Sequence, residues 1–199
     1  MIRISDLGQP ALHTLATPGN SLVGDQANVA KTRPASMETH PQSDQRHTVL
    51  NPVDLRLFLA IHHVLEDQVT YKWGAKARNL LGPAADIKAL DCSGYVQYML
   101  ARQHIPAPQG SVEIMDTLIG QGLTRVNLHN VAVAAPRLHL GELYISAWKP
   151  SMILSGHIFF TIAGTTYECS KRLRGVSSQP AANYAQHPGL VTLRIPTFP

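Results

Sequence analysis

The sequence is poor in several features that would settle its class at once. Its 199 residues include only 2 cysteines, so the disulfide framework that staples many small secreted domains is excluded. Cys92 and Cys169 allow one bridge at most. No apolar run approaches the roughly 20 residues of a membrane-spanning helix; the longest, such as 131–135, stop far short. No glycine period and no sustained heptad is present, which removes collagen-like and coiled-coil readings. Charged residues make up only 15% of the chain. Lys and Arg (17) exceed Asp and Glu (13) for a net charge of +4, with a pI near 9.2, but the cations are scattered. Such a balance suits anionic polymers such as nucleic acid or bacterial wall without specifying either.

Metal-binding spacing is missing too. The 10 histidines are dispersed, and none sits in an HExxH or a Cys/His finger pattern, so no metal or other cofactor is expected. The first ten residues carry Asp6 and Pro10 where a signal peptide needs a continuous apolar stretch. The expectation is a protein made in the cytoplasm and carried out by another route.

What is present is enough chain for one globular domain of ordinary size with an attached segment. Residues 1–48 contain no Phe, Trp or Tyr and carry Pro10, Pro18, Pro34 and Pro41. Such a segment has too little apolar surface to offset its ordering entropy and reads as a flexible or loosely docked arm. Residues 49–199 read as the folded domain. Asn51 before Pro52, with Asp54 following, predicts a helix start, and Leu55, Phe58, Leu59, Ile61, Val64 and Leu65 give it a broad apolar face. A second helix is predicted from Asp91 to before Pro106, and a third over 111–119. Beyond it come short β-type runs at 131–135, 143–148, 158–163, 165–169 and 190–195, with Ala163-Gly164 as a hairpin turn. Helices first and strands later predict an α+β fold, the helical half packed on an antiparallel sheet.

The chemistry concentrates in Asp91-Cys92-Ser93-Gly94-Tyr95-Val96. A cysteine in the first turn of a helix lies at the positive end of the dipole, which favours thiolate over thiol. Gly94 behind it keeps that turn small enough for a substrate backbone to approach, and Asp91 is placed to cap the helix.

This hexapeptide resembles the nucleophile motif of the NlpC/P60 family, papain-like cysteine peptidases that act on peptidoglycan. Four further stretches fall in that family's order. Tyr71-Lys72-Trp73-Gly74 looks like the aromatic-Gly stretch before the nucleophile, and Gly141-Glu142-Leu143 resembles the opening of the next strand. Gly156-His157-Ile158 is similar to the strand that carries the base, and Leu193-Arg194-Ile195-Pro196 to the closing strand. The resemblance covers about residues 55–197 and implies a papain-like NlpC/P60 fold with Cys92 as nucleophile and His157 as base. The residue that orients the base would come from Tyr167-Glu168-Cys169-Ser170. A tight Ala163-Gly164 turn brings Glu168 to that place, and one more residue in the turn brings Cys169. A carboxylate accepts a ring N–H better than a thiol does, so Glu168 is the expected third residue. The family usually has another polar residue there. Tyr71 and Ser93 are the expected substrate-binding residues, and His62, His63, His129 and His139 are read as structural.

The activity implied is a peptidoglycan hydrolase, a cysteine endopeptidase cutting the bond from D-glutamate to a diamino acid in stem peptides. An N-acetylmuramoyl-L-alanine amidase is the competing bond assignment. An acyltransferase or thioesterase on the same fold would want an apolar groove, and a silent binding module would have lost Cys or His. The expected partner is peptidoglycan, with neither nucleic acid nor membrane. An antibacterial effector of a contact-dependent secretion system, with an immunity protein or a carrier, fits this profile, and its site of action would be the periplasm or wall of a target cell.

Overall fold

The computed structural model describes residues 50–133, 141–149 and 156–198. The arm at 1–48 and His139 lie outside them.

The first helix, α1 (Leu55–Glu66), starts three residues later than the Asn51-Pro52 signal predicts. Its cap is Asp54, whose carboxylate accepts from the N–H groups of Arg56 (2.9 Å) and Leu57 (3.2 Å). Residue 53 is unavailable to a helix because its backbone is already used. The Val53 N–H donates to the Pro196 carbonyl at 2.8 Å, and its own carbonyl accepts from Phe198 at 3.1 Å. The buried side of α1 presents Phe58, which meets Phe160 edge-on at 5.0 Å and Tyr167 at 5.8 Å. Burying a ring of that size contributes roughly 1.5–3 kcal/mol. His62 is buried on the same side, with Nδ1 2.9 Å from the Tyr95 hydroxyl. Burial and then His63 lower its pKa to about 4, so it sits neutral in the core and its role is structural.

Strands β1 (Thr70–Tyr71) and β2 (Ala89–Leu90) flank a long loop and lead into α2 (Cys92–Arg102). Every residue of α2 from Cys92 to Leu100 is buried, which makes it the central helix. Its end is built by sequence. His104 turns left-handed at φ 58°, its N–H reaches the Ala101 carbonyl at 3.0 Å, and Ile105 N–H reaches Leu100 at 2.9 Å, the double closure that precedes Pro106. Helix α3 (Ser111–Gly120) follows as predicted.

The later chain supplies β3 (Arg125–Val126), α4 (Leu128–Val133), β4 (Leu143–Trp148), β5 (His157–Ile162), β6 (Thr165–Ser170), β7 (Gly175–Pro180) and β8 (Val191–Ile195). They join one sheet in the order β2-β1-β7-β6-β5-β4-β8-β3. The expected antiparallel pairing holds except between β1 and β2, which run parallel. The architecture is α+β. The predicted strand at 131–135 is a correction: its described part belongs to α4, since a short apolar run does not distinguish strand from helix by periodicity. Strand β7 was not predicted at all.

Alternation along β5 divides the core. Ile158, Phe160 and Ile162 pack in the main cluster with α1 and α2, while Phe159 joins Tyr144 and Leu128 in a smaller one. His157 shares the parity of Phe159 and so belongs to the second face. Among the described residues no helix is long and apolar enough to cross a membrane.

Candidate active site

Cys92 is the first residue of α2, and its position is fixed from both sides of the helix start. Asp91 caps the helix as predicted, Oδ1 accepting from the Gly94 N–H at 2.7 Å. The loop after β1 is tied to the same carboxylate. The Gly74 N–H donates to Oδ2 at 3.1 Å, and Lys76 Nζ reaches both oxygens at 2.6 and 2.5 Å. Gly94 permits this closeness, because a Cβ there would stand 2.4 Å from the Ala75 carbonyl oxygen. Ser93 is buried and its hydroxyl is engaged in the cap, donating to Asp91 at 3.0 Å and accepting from Lys76 at 2.9 Å. Its hydroxyl thereby helps hold the helix start, and Ser93 is not among the residues that line the cleft described below.

His157 and Glu168 come from one hairpin. Ala163 and Gly164 both have positive φ (46° and 75°), as a two-residue mirror-image turn requires. The register that follows pairs Ile162 with Thr165, Thr161 with Thr166 and Phe160 with Tyr167. Continued, it sets Phe159 opposite Glu168 and His157 one diagonal step away, on the same face. His157 Nε2 is 2.6 Å from Glu168 Oε2. Cys169, the alternative, points to the other face and donates its thiol to the Leu90 carbonyl at 3.3 Å.

The electrostatics follow from that contact. Burial alone would lower the pKa of His157, but hydrogen bonds to Cys92 and Glu168, with their charges, outweigh it and raise the value to about 9. With Nε2 turned to Glu168, Nδ1 is the ring nitrogen left for Cys92. Glu168 is 0% exposed. Burial works against its charge, yet His157, Gln179 and Tyr184 together hold its pKa below the ordinary carboxylate value. The Tyr184 hydroxyl donates to both of its oxygens, at 3.1 and 3.0 Å, and the Gln179 amide donates to Oε1.

Above Cys92 and His157 opens a cleft of about 580 Å³, lined also by Tyr71, Trp148, Tyr184, Lys171 and Arg172. Partial burial, and then the nearby Cys92 and Asp91, push the Tyr71 pKa up to about 12, so its hydroxyl stays a donor at neutral pH. Trp148 lies directly opposite His157 in the β4–β5 pairing, their ring centroids 5.2 Å apart, and stacks on His187 at 3.8 Å. Gln179, Tyr184 and Trp148 were missed in the sequence. Trp148 could have been found, since β4 was read correctly and its pairing with β5 puts residue 148 beside His157. Tyr184 and Gln179 carry no local signal.

The two thiols are separate and reduced: both cysteines are free, Cys92 is 8% exposed and Cys169 0%. Burial also pushes the Cys169 thiol well up. Iodoacetamide on native protein near neutral pH is therefore expected to label Cys92, with Cys169 labelled only after denaturation. Peptide mass spectrometry reads the result; first labelling at Cys169 would remove Cys92 from the nucleophile's place.

No family model and no curated protein matches this chain. Solved structures do match. The P60 domain of an antigen from M. avium subspecies paratuberculosis is 18% identical with a TM-score of 0.43, over 71% of this chain and 95% of that one. NlpC2 from Trichomonas vaginalis is 15% identical with a TM-score of 0.44, over 71% of this chain and 45% of its own. A lipoprotein-like NLP/P60 family protein from Staphylococcus aureus is 13% identical with a TM-score of 0.47, over 76% and 45%. The chain thus spans less than half the length of the last two. These three structures are named as P60, NlpC and NLP/P60 proteins.

Proposed function

We propose that this protein is a cysteine peptidase of the NlpC/P60 type that hydrolyses an amide bond in the stem peptides of peptidoglycan. The observation that carries the reading is the juxtaposition of Cys92, at the start of a helix, with His157 on the wall of one open cleft, the imidazole Nε2 lying 2.6 Å from the fully buried Glu168. In this reading the Cys92 sulfur attacks the scissile carbonyl, its proton having passed to His157 Nδ1. The backbone N–H of Cys92, at the positive helix end, is placed to meet the developing oxyanion. His157 then protonates the departing amine, which leaves a thioester on Cys92, and a water deprotonated by the same imidazole releases the acid and restores the thiol. Glu168 accepts the Nε2 proton's hydrogen bond throughout and stabilises the imidazolium. Tyr71 is the substrate-binding residue, offering a hydroxyl donor from the cleft wall.

The bond proposed is that from D-glutamate to the diamino acid. An acyltransferase acting on lipid would need a continuous apolar groove, whereas the aromatic lining of this cleft is interrupted by Lys171 and Arg172. The effector role, with a carrier or an immunity protein, belongs to the same proposal. Digestion of purified peptidoglycan tests it. Product masses are expected to show a new amino terminus on the diamino acid. Intact stem peptides freed from sugar would replace the endopeptidase with the amidase, and no soluble product at all would overturn the hydrolase.

A further inference from the structure

The loop that holds the nucleophile's helix also forms one wall of a second, larger groove. It has a volume of about 720 Å³ and is bounded by residues 72–89. Lys72, Arg78 and Lys88 are exposed on it, against Asp86 as its one carboxylate. Among the described residues neither the Lys72 ammonium nor the Arg78 guanidinium has an ion-pair or hydrogen-bond partner, whereas Lys88 is held by the Ala85 carbonyl at 2.9 Å. Trp73 stands on the same wall with 76% of its surface exposed, the most of any large apolar side chain described. The backbone on either side of it is tied down. Gly74, next to it, donates its N–H to Asp91, the Ala75 N–H closes a turn on the Lys72 carbonyl at 3.0 Å, and the Asp91 N–H donates to Ala75 at 3.0 Å.

The backbone that carries the ring and its neighbouring cations is therefore anchored to the cap of the catalytic helix, which lowers the loop-ordering part of the cost of binding. Their chemistry is specific in kind. A flat indole matches the C–H face of a pyranose ring, and unpaired cations match carboxylates spaced along a chain. The chain order adds a geometric link: Tyr71 lines the catalytic cleft, and the next two residues line the groove. We propose that this groove is a second binding site, taking a sugar chain that bears carboxylate-carrying peptides, one of which enters the cleft. The inference rests on the peptidoglycan reading and deepens it. Trp73 stacks on a sugar ring, Lys72 and Arg78 meet carboxylates of the polymer, and the bound strand delivers its peptide to Cys92.

The test separates binding from turnover. In a Cys92→Ala background, co-sedimentation with purified insoluble peptidoglycan is expected to weaken about ten-fold with Trp73→Ala, and more with Lys72→Glu/Arg78→Glu, a tenfold change being one step of about 1.4 kcal/mol. With Cys92 intact, the same variants are expected to hydrolyse a short soluble stem peptide, which cannot span both sites, at near-parental kcat/KM while losing rate on the intact polymer. Equal loss on both substrates would make the loop a support for the helix cap alone and overturn the proposal. So would unchanged co-sedimentation, failure of the parent to bind peptidoglycan, or equally tight binding of single-stranded DNA, which would make the groove a general polyanion surface. Parental binding without hydrolysis of any peptide would instead remove the peptidase reading and leave the groove standing.

Discussion

Cys92→Ala and His157→Ala are each expected to lower turnover of peptidoglycan by about 10⁴- to 10⁶-fold, and the double variant by no more than the worse single one. Nucleophile and base act as one unit, so once either is gone the other has nothing left to do. The two replacements differ in their structural cost. Cys92 is a small side chain at the cleft edge, 8% exposed, and its loss leaves the Asp91 cap untouched. Removing His157 strips a fully buried carboxylate of a partner at 2.6 Å, and an unpartnered buried charge costs several kcal/mol. Tyr184 and Gln179 still donate to Glu168, which limits the damage. His157→Gln keeps a donor near Glu168 and controls for misfolding. Lost activity with a parental melting temperature in that variant assigns the loss to the base. Parental product yield from Cys92→Ala would end the cysteine-peptidase reading.

How far the site was legible depended on whether its geometry is local. Glu168 was placed beside His157 by counting through a two-residue turn, and Gly164 between two β-type runs announces that turn in the sequence, although Ala163 takes a positive φ that alanine rarely adopts. Asp91 was placed as the cap by its position at the predicted start of the Cys92 helix. The partners that hold Glu168 were not legible, since Gln179 lies on β7, whose sequence Gly-Val-Ser-Ser-Gln-Pro has little strand propensity. That strand exists because β6 and β1 offer hydrogen bonds on both of its sides, a fact of tertiary structure. Tyr184 follows in the turn after it. The start of α1 was misplaced for the same kind of reason: Asn51-Pro52 is a sound local signal, but Val53 pairs with the far end of the chain. The chain's helices-then-strands order was enough for the α+β class, because class depends on the kinds of elements and their order, and contacts set only their edges.

Glu168→Gln is expected to slow turnover by about 10- to 10⁴-fold, the upper end being the cost of losing the analogous carboxylate in serine-protease triads. The hydrogen-bond inventory gives the reason. The Gln179 amide donates to Oε1, while the Tyr184 hydroxyl lies within reach of both oxygens, so the amide oxygen of the new side chain is drawn toward Gln179 and its NH₂ is turned toward His157 Nε2. The ring must then accept there and carry its proton on Nδ1, the nitrogen needed to receive the Cys92 proton. The pH profile separates this from simple destabilisation. Glu168 is one of the groups that raise the His157 pKa to about 9, and the charged imidazolium exists below that pKa and is lost as pH rises through it. Removing the carboxylate lowers that pKa, so the alkaline limb of kcat/KM moves to lower pH, while Cys169→Ser, on the opposite strand face, leaves both rate and profile unchanged. A Glu168→Gln enzyme with the parental alkaline limb and rate would strip Glu168 of its role and leave the Cys92–His157 pair in place.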